Sequence, residues 1–438
     1  MKTLFATTIL ILLTCSGCLE SSTDSLADFD SLKNTRPVVH MTVQDQDSAS
    51  KNQKASETKL ATTEAKSEKT EKTGDEKVVS TEDWTFFRGD ALSTGVARTK
   101  LPNDLEELEV LWTHKVKNGA FESTPTITGG KTKTVYIGDL DGHLFALDLE
   151  SGKELWKYKV EIGFITAPVV KDGRIFIGDL DGYFYCFSTD GKLLWKHETM
   201  AEINSSANFY KDKVIFGSQD TKLYCLDQKT GEVAWAHETA DQVRCSATVV
   251  DNRAFVAGCD GGLHIVDLDK GEELESVDIE SPTGVTPAVM GDMAYVGTEQ
   301  GGFFAIDWKV AKAKWAFTPG DGISIRSCPA VTKDHVVFGA QNRTVYSLDP
   351  VTGKENWSET LLAKVDSSPV IVGNKVIVGS TDGRLTGLGL KDGEILWEKQ
   401  LNGGILGSPG VAFGRVIVAT DRGVVYCLGS KKQLGQDN

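Results

Sequence analysis

The sequence lacks the short motifs by which many enzymes are identified. Its 438 residues contain no G-x-S-x-G, no H-E-x-x-H and no P-loop, so no catalytic residue can be assigned from a motif. His114, His197 and His237 fall in different copies of a repeat, whereas the ligands of one zinc ion must converge. We therefore expect no metal site and no motif-based catalysis.

Basic residues are also in deficit. The chain has 47 Lys and Arg against 62 Asp and Glu, a formal net charge of −15, and no basic stripe recurs along it. Binding of nucleic acid is therefore not expected. An acidic substrate is disfavoured too, unless it meets a local basic patch.

None of the eight cysteines is adjacent to another. Cys186, Cys225 and Cys427 occupy one position of the repeat, which Ala146 fills in another copy. This pattern is typical of small core residues, so we expect buried free thiols. A disulfide is the alternative, because spacing alone does not determine pairing.

What the sequence has in abundance is repetition. The stretch "GDLDGHLFALDLESGKELW" returns as "GDLDGYFYCFSTDGKLLW", and eight copies follow each other at spacings of 39–42 residues. The copies open at Gly138, Gly178, Gly217, Gly258, Gly297, Gly339, Gly379 and Ala419. Each contains short β-rich runs separated by Asp-Gly or similar dipeptides, which indicates four antiparallel strands. We predict an all-β fold, an eight-bladed β-propeller with four-stranded antiparallel blades.

Each copy closes on a tryptophan, except the fourth and the eighth. The fourth has Glu275 in that position, and the eighth ends without its outermost strand. Upstream, "LEVLWTHKV" supplies an unassigned strand with Trp112, which stands 44 residues before Trp156. We predict that this N-terminal strand completes the last blade and so closes the ring.

The N-terminal residues have a different character. Residues 1–17 are predicted to be a signal peptide, because the apolar stretch Ile9–Leu13 is too short to span a bilayer. "CSGC" resembles a bacterial lipobox, which implies lipidation of Cys18; an ordinary secretory signal is the alternative. Residues 18–82, rich in Ser, Thr, Lys and Glu, predict a disordered tether. The propeller is assigned to residues 83–430 and a short polar tail to residues 431–438.

Three repeat endings carry a family resemblance. "ALDLESGKELW", "CLDQKTGEVAW" and "SLDPVTGKENW" resemble the tryptophan-docking motif of pyrroloquinoline quinone (PQQ) repeat propellers, and "DWTFFRGDALSTGV" resembles the opening segment of exported members. The resemblance implies that each tryptophan docks on a neighbouring blade. The docking set is then Trp112, Trp156, Trp195, Trp235, Trp315, Trp357 and Trp397.

Two functional classes share this repeat. Quinoprotein dehydrogenases hold PQQ over calcium, usually beside a Cys-Cys disulfide that is absent here, whereas BamB lipoproteins are non-catalytic and dock on BamA during β-barrel assembly. The order of lipobox, tether and eight repeats resembles BamB. The resemblance implies a lipid-anchored scaffold of the outer membrane, facing the periplasm, with a BamA-like partner and without PQQ or calcium. The cell surface and the inner membrane are alternative locations.

Other readings stay open at the level of docking residues. In BamB, a Leu-x-Leu-Arg run that leads into the fourth blade and an Asp-x-Asp run that leads into the fifth contact BamA. Here "DQVR" aligns with the first run and retains its arginine as Arg244, whereas "PTGV" aligns with the second and retains neither aspartate. A PQQ-dependent dehydrogenase, or a propeller that binds an unrelated partner or a small anion, is therefore the alternative.

The strand that opens each blade is expected to lie nearest the channel. One equivalent position in these strands holds Glu122, Ile165, Asn204, Arg244, Gly284, Arg326, Asp366 and Leu406. Equivalent positions point the same way, so we predict a ring at one channel mouth. Its polar members Glu122, Asn204, Arg244, Arg326 and Asp366 are candidate partner-binding residues, with the arginines suited to a carboxylate or phosphate. The alternative is that the arginines pair with Glu122, Asp366 or backbone carbonyls.

Overall fold

The computed structural model describes residues 82–432. They form eight antiparallel sheets arranged as the predicted eight-bladed propeller, with one short 3₁₀ helix, η1 (Leu105–Glu107). Within this range, no helix is long and apolar enough to cross a membrane. The predicted signal peptide, Cys18, the tether up to residue 81 and the last six residues of the tail lie outside the described residues.

Two strands precede the first blade, β1 (Val96–Ala97) and β2 (Glu109–Lys115). Blades are numbered in chain order, and their strands are given from the channel outwards. Blades one to four consist of β3 (Thr126–Thr128), β4 (Thr134–Gly138), β5 (His143–Asp148) and β6 (Glu154–Lys159); β7 (Val169–Lys171), β8 (Arg174–Gly178), β9 (Tyr183–Ser188) and β10 (Leu193–Glu198); β11 (Asn208–Tyr210), β12 (Lys213–Gly217), β13 (Lys222–Asp227) and β14 (Val233–Glu238); β15 (Thr248–Val250), β16 (Arg253–Ala257), β17 (Gly262–Asp267) and β18 (Glu272–Asp278).

The second half of the ring repeats this order. Blades five to eight consist of β19 (Ala288–Met290), β20 (Met293–Gly297), β21 (Phe303–Asp307) and β22 (Lys312–Phe317); β23 (Ala330–Val331), β24 (Val336–Gly339), β25 (Thr344–Leu348) and β26 (Glu355–Thr360); β27 (Val370–Val372), β28 (Lys375–Gly379), β29 (Arg384–Gly389) and β30 (Ile395–Gln400); β31 (Gly410–Ala412), β32 (Arg415–Thr420), β33 (Val424–Gly429) and β2. Strand β1 pairs in parallel with β27.

The ring closes as the sequence predicts. Strand β2 pairs antiparallel with β33 and places Trp112 opposite Cys427. The last blade therefore takes its outermost strand from the N-terminal side of the first. This pairing leaves no unfinished sheet at the closure.

Burial explains the residue pattern within a blade. The second and third strands lie between neighbouring blades, so β4 is buried along its whole length, while the outermost strand β6 alternates half-buried and exposed residues. The glycine that ends β4 is required by packing, because a Cβ on Gly138 would approach Phe164 Cβ to 2.5 Å. The predicted series of equivalent glycines is wrong in blade four. There Ala257 ends the second strand, as Gly138 does in blade one, and Gly258 follows it in the turn.

Tryptophans join most of the blades, as the resemblance implies. The indole Nε1 of Trp112 donates to Leu149 O of blade one at 2.7 Å, and Trp156 donates to Thr189 O of blade two at 3.0 Å. The same contact recurs for Trp195, Trp235, Trp315 and Trp357. Trp397 lies in the apolar cluster at the ring closure.

The junction between blades four and five is built differently. Glu275 replaces the docking tryptophan and is exposed. Trp308 of blade five fills the junction from the other side: it is 5% exposed and its ring lies 5.5 Å from that of Phe255 in blade four. Arg253 of blade four also lies over the Trp308 ring, 5.5 Å from its centroid.

A strap formed by residues 84–99 runs around one end of the channel. Trp84 pairs with Ile127 of blade one, and strap carbonyls then accept hydrogen bonds from the inner strands of blades two to seven. Thr99 Oγ1 accepts from Gly414 N in blade eight at 2.8 Å. The strap therefore contacts all eight blades in order, and we call its end of the channel the closed end.

Candidate functional site

The mouth is the end of the channel opposite the strap. It is formed where each outermost strand connects to the next blade, and by the turns between the second and third strands. All eight positions of the predicted ring line one cavity here, of about 160 Å³. Phe87 of the strap also lines this cavity, so the strap contributes to its inner surface.

The polar ring members differ in how they are paired. Arg244 donates from Nη2 to Glu299 at 3.3 Å and from Nε to Cys259 Sγ at 2.9 Å. Asp366 accepts from Gln341 Nε2 at 3.1 Å. Arg244 is thus paired, but with Glu299 of the next blade instead of the predicted Glu122 or Asp366. Arg326 is exposed and has no hydrogen bond or ion pair with any residue from 82 to 432.

Glu122 experiences an unfavourable environment for its charge. Burial, followed by the nearby carboxylate of Asp421, raises the pKa of Glu122 above its usual range. No basic side chain of the described residues forms an ion pair with either carboxylate. Asn204 adds an acceptor to the same cavity, since its buried Oδ1 receives no hydrogen bond from the part of the chain that the structure describes.

Beneath the ring lies a belt of hydrogen bonds that the sequence reasoning missed. Ser206 N donates to Ser246 Oγ, and Ser246 N donates to Thr286 Oγ1, each at 2.9 Å. The series continues through Cys328, Ser368, Ser408 and Thr124. A small residue with a side-chain acceptor recurs two positions after each ring residue, and this signal was readable. Only blade two breaks it, with Ala167.

The next level towards the closed end holds a buried arginine. Arg88 is 0% exposed, and its guanidinium donates to Pro369 O at 2.5 Å and to Pro329 O and Ser368 O at 3.5 Å. Burial lowers the pKa of Arg88 to about 10, which still leaves it charged at neutral pH. Nothing in the repeat pattern indicated this position.

A second, larger groove of about 790 Å³ lies between blades one and two at the closed end. Tyr136, Trp156 and Phe86 provide its aromatic lining, and the chain enters the fold beside it at Asp83. No ring residue lines this groove. The turn after β3, residues 129–133, contributes to its lining and is longer than the two-residue turn at the corresponding place in blade two.

Neither metal ligands nor disulfides appear among residues 82–432. No group of three or more His, Cys, Asp and Glu side chains in this range could hold a metal ion. The six cysteines from Cys186 to Cys427 are buried free thiols, as predicted. Burial raises the pKa of Cys186, Cys225, Cys245 and Cys427 to about 12, so none is a reactive thiolate.

Several solved structures share this fold at low sequence identity. BamB from Moraxella catarrhalis superposes with a TM-score of 0.64 at 18% identity, covering 74% of this chain and 99% of that one. Quinohemoprotein alcohol dehydrogenase from Comamonas testosteroni gives 0.69 at 15% identity and covers 80% of each chain. A europium-containing methanol dehydrogenase gives 0.67 at 13% identity, covering 80% of this chain and 98% of its own. These likenesses establish the fold alone.

Sequence comparison is more selective. No curated protein sequence is significantly similar to this chain. A family model does match residues 105–317 and 308–431, which together include most of the propeller and three quarters of the chain. That model describes the outer membrane protein assembly factor BamB, and the chain therefore belongs to the BamB family of PQQ-repeat propellers.

Proposed function

We propose that this protein is a non-catalytic binding propeller of the cell envelope, anchored through lipidated Cys18, which captures a protein partner at the mouth. The observation that carries the proposal is the small, plugged mouth cavity, with Phe87 and the belt beneath its ring. The family match supports association with the envelope and with an assembly machinery. Attachment to the outer membrane and a BamA-like partner are the specific form we propose.

The mouth is a poor fit for PQQ, the cofactor implied by the dehydrogenases that share the fold. Cofactor sites usually enclose roughly 300–1,000 Å³, compared with about 160 Å³ here. PQQ is a tricarboxylate, whereas among the described residues the ring has a single arginine without an ion pair, Arg326. No cluster of metal-ligating side chains among the described residues could hold the accompanying calcium. These features support a non-enzymatic role.

The deciding experiment is a dehydrogenase assay on the purified full-length protein supplied with PQQ and calcium. We expect no reduction of an artificial electron acceptor with any alcohol or sugar, and no retained quinone absorbance after gel filtration. Calcium-dependent acceptor reduction would establish the alternative, a PQQ-dependent oxidoreductase.

The anchor is tested separately, because Cys18 lies outside the described residues. We expect the wild-type protein to sediment with membranes, and the Cys18→Ser variant to be released into the soluble fraction. Loss of two or more acyl chains removes the binding energy of a stable anchor. Membrane retention of Cys18→Ser would contradict lipid anchoring. Sucrose-gradient separation then distinguishes outer-membrane from inner-membrane attachment.

The ring residues supply the test of partner capture. Since Arg244 is already paired with Glu299, exposed Arg326 is the basic group available to a partner carboxylate or to a small anion, the second candidate ligand. Cross-linking in cells followed by pull-down should identify a partner for the wild-type protein, and Arg326→Ala should weaken its capture. Unchanged capture by the Arg244→Ala/Arg326→Ala double variant would show that the arginines of the ring are structural.

A further inference from the structure

The two ends of the propeller carry very different charge. The segments that connect strands at the mouth end contain sixteen acidic and six basic residues, a formal charge of −10. The connecting segments at the closed end, counted from β3 onwards, contain twelve acidic and eleven basic residues, a formal charge of −1. The acidity of the ring is therefore concentrated on one face, which creates a negative potential around the cavity.

The mouth over blades one to three is the densest part of this acidic face. Asp141, Glu161, Asp181 and Glu202 are exposed, and none of them forms an ion pair with another residue in the range 82–432. Backbone contacts make them neighbours: Val160 N donates to Gly142 O at 2.8 Å, and Leu180 N donates to Gly163 O at 3.0 Å. We call these four carboxylates the acidic patch.

Apolar side chains are interspersed with the acidic patch. Ile162, next to Glu161, is 42% exposed, and Met200, two residues before Glu202, is 87% exposed. These two side chains add apolar contact area to a face whose carboxylates form no ion pairs within residues 82–432.

The cavity next to the acidic patch is also suited to a cationic side chain. Burial and the charge of Asp421 raise the pKa of Glu122, which forms no ion pair within residues 82–432, and the buried Oδ1 of Asn204 lacks a donor from the same residues. Both lack a donor with positive or partial positive charge. A cationic side chain placed here would supply it, and would remove the repulsion between Glu122 and Asp421.

We propose that the mouth face docks a basic polypeptide segment, whose Lys or Arg side chains contact the acidic patch and the cavity while its apolar side chains pack on Ile162 and Met200. This inference rests on the proposed function and names the chemistry of the partner: its basic side chains meet the acidic patch and Glu122, and its carboxylate meets exposed Arg326 of blade six. Long-range attraction by the face accelerates the encounter, and the apolar contacts hold the complex.

The test uses the full-length protein and a labelled synthetic peptide of lysine and leucine residues, with a glutamate and leucine peptide as its counterpart. The patch variant is Asp141→Asn/Glu161→Gln/Asp181→Asn/Glu202→Gln. The control variant, Glu232→Gln/Glu355→Gln/Asp392→Asn/Glu394→Gln, removes the same charge from exposed carboxylates near the closed end that lack ion pairs within residues 82–432. Binding is measured by fluorescence anisotropy at low and physiological salt.

We expect the wild type and the control variant to bind the lysine peptide equally, and the patch variant to bind at least tenfold more weakly. Affinity should fall as salt rises, because exposed charges are screened over about 8 Å at 0.15 M ionic strength. Equal weakening in both variants, or preference for the glutamate peptide, would overturn the inference. A patch variant that still captures the cross-linked partner, in a protein without dehydrogenase activity, would refute the basic docking surface while leaving the proposed function intact.

Discussion

The two ends of the channel are formed by the same eight inner strands but differ in how their polar groups are paired. At the closed end, the strap satisfies the inner strands of every blade, and the guanidinium of Arg88 is fully buried against backbone carbonyls. At the mouth, Arg326 is exposed without a partner in the described chain, and Glu122 lies beside another carboxylate. The same repeat thus gives a closed end whose polar groups are hydrogen-bonded and a mouth with polar groups that are unpaired among the described residues. This difference locates stability at the closed end and binding at the mouth.

Loss of an arginine should lower the free energy of unfolding more at the closed end than at the mouth. Arg88→Met keeps an apolar stem but leaves three buried carbonyls without their donor, so we expect a loss of about 2–4 kcal/mol in the free energy of unfolding. The matched change at the mouth, Arg326→Met, should stay within about 0.5 kcal/mol. Guanidinium unfolding followed by tryptophan fluorescence measures both. Equal effects would mean that the two ends are not distinguished by burial.

The belt between the two ends should show an intermediate effect. Ser368 Oγ accepts a hydrogen bond from buried Cys328 N at 2.9 Å, so Ser368→Ala should cost about 1–2 kcal/mol. Ser324 is the control, because its buried Oγ has no partner among residues 82–432. Ser324→Ala should be neutral or slightly stabilising in the same unfolding measurement. A larger loss of unfolding free energy for Ser324→Ala than for Ser368→Ala would show that the hydrogen bonds of the belt do not stabilise the fold as we expect.

The repeat made the fold and the ring positions predictable. Once Gly138 and Trp156 recur at a fixed period, equivalent residues occupy equivalent places, and this symmetry gives eight blades and one mouth. It also predicts closure by Trp112, because a missing strand in one blade matches a surplus strand elsewhere. Periodicity therefore determines whatever depends on comparing like positions.

Contacts between unlike positions escaped the prediction for the same reason. Arg244 meets Glu299, which stands in a turn of the next blade, and no alignment of equivalent residues brings those two together. Arg88 lies outside the repeat altogether. Trp308 compensates for Glu275 from a different place in the neighbouring copy, so the loss of one docking tryptophan could be read from the sequence but its replacement could not.

A titratable group at the turn of blade four offers a smaller test. Burial of His264 opposes its charge, but hydrogen bonds to Asp260 at 2.9 Å and Glu273 at 2.6 Å prevail and raise the pKa of His264. His237 Nε2 also faces Glu273, at 3.9 Å. Because the folded pKa is raised, this stabilisation is fully present below about pH 6.5 and is lost as pH rises through the folded value.

His264→Gln should therefore cost about 1 kcal/mol at acidic pH and progressively less towards alkaline pH. The control has the opposite sign, since burial lowers the pKa of His335. For His335→Gln, the advantage of the wild type should grow as pH rises towards 6.5, because the unfolded chain binds the extra proton. Urea unfolding between pH 5 and pH 8 measures both series. Parallel pH profiles for the two variants would contradict this account.

The smallest expected effect is that of Glu122→Gln in the mouth. This substitution should stabilise the protein, which is the sign expected for a binding residue that does not contribute to stability. Burial and Asp421 raise the pKa of Glu122, so ionisation of Glu122 opposes folding once pH exceeds the value of the unfolded chain, near 4.3. Glu122→Gln should then stabilise the protein at pH 7, by less than about 1 kcal/mol, and the gain should vanish below pH 4. Glu232→Gln, at an exposed position near the closed end, is the matched control variant. With the lysine peptide bound, the order should reverse, since Glu122 then has a cation to pair with and the variant does not. A Glu122→Gln protein that is destabilised at neutral pH would show that Glu122 is a structural residue of the mouth. A variant that gains as much from the peptide as the wild type would show that Glu122 does not contact the peptide.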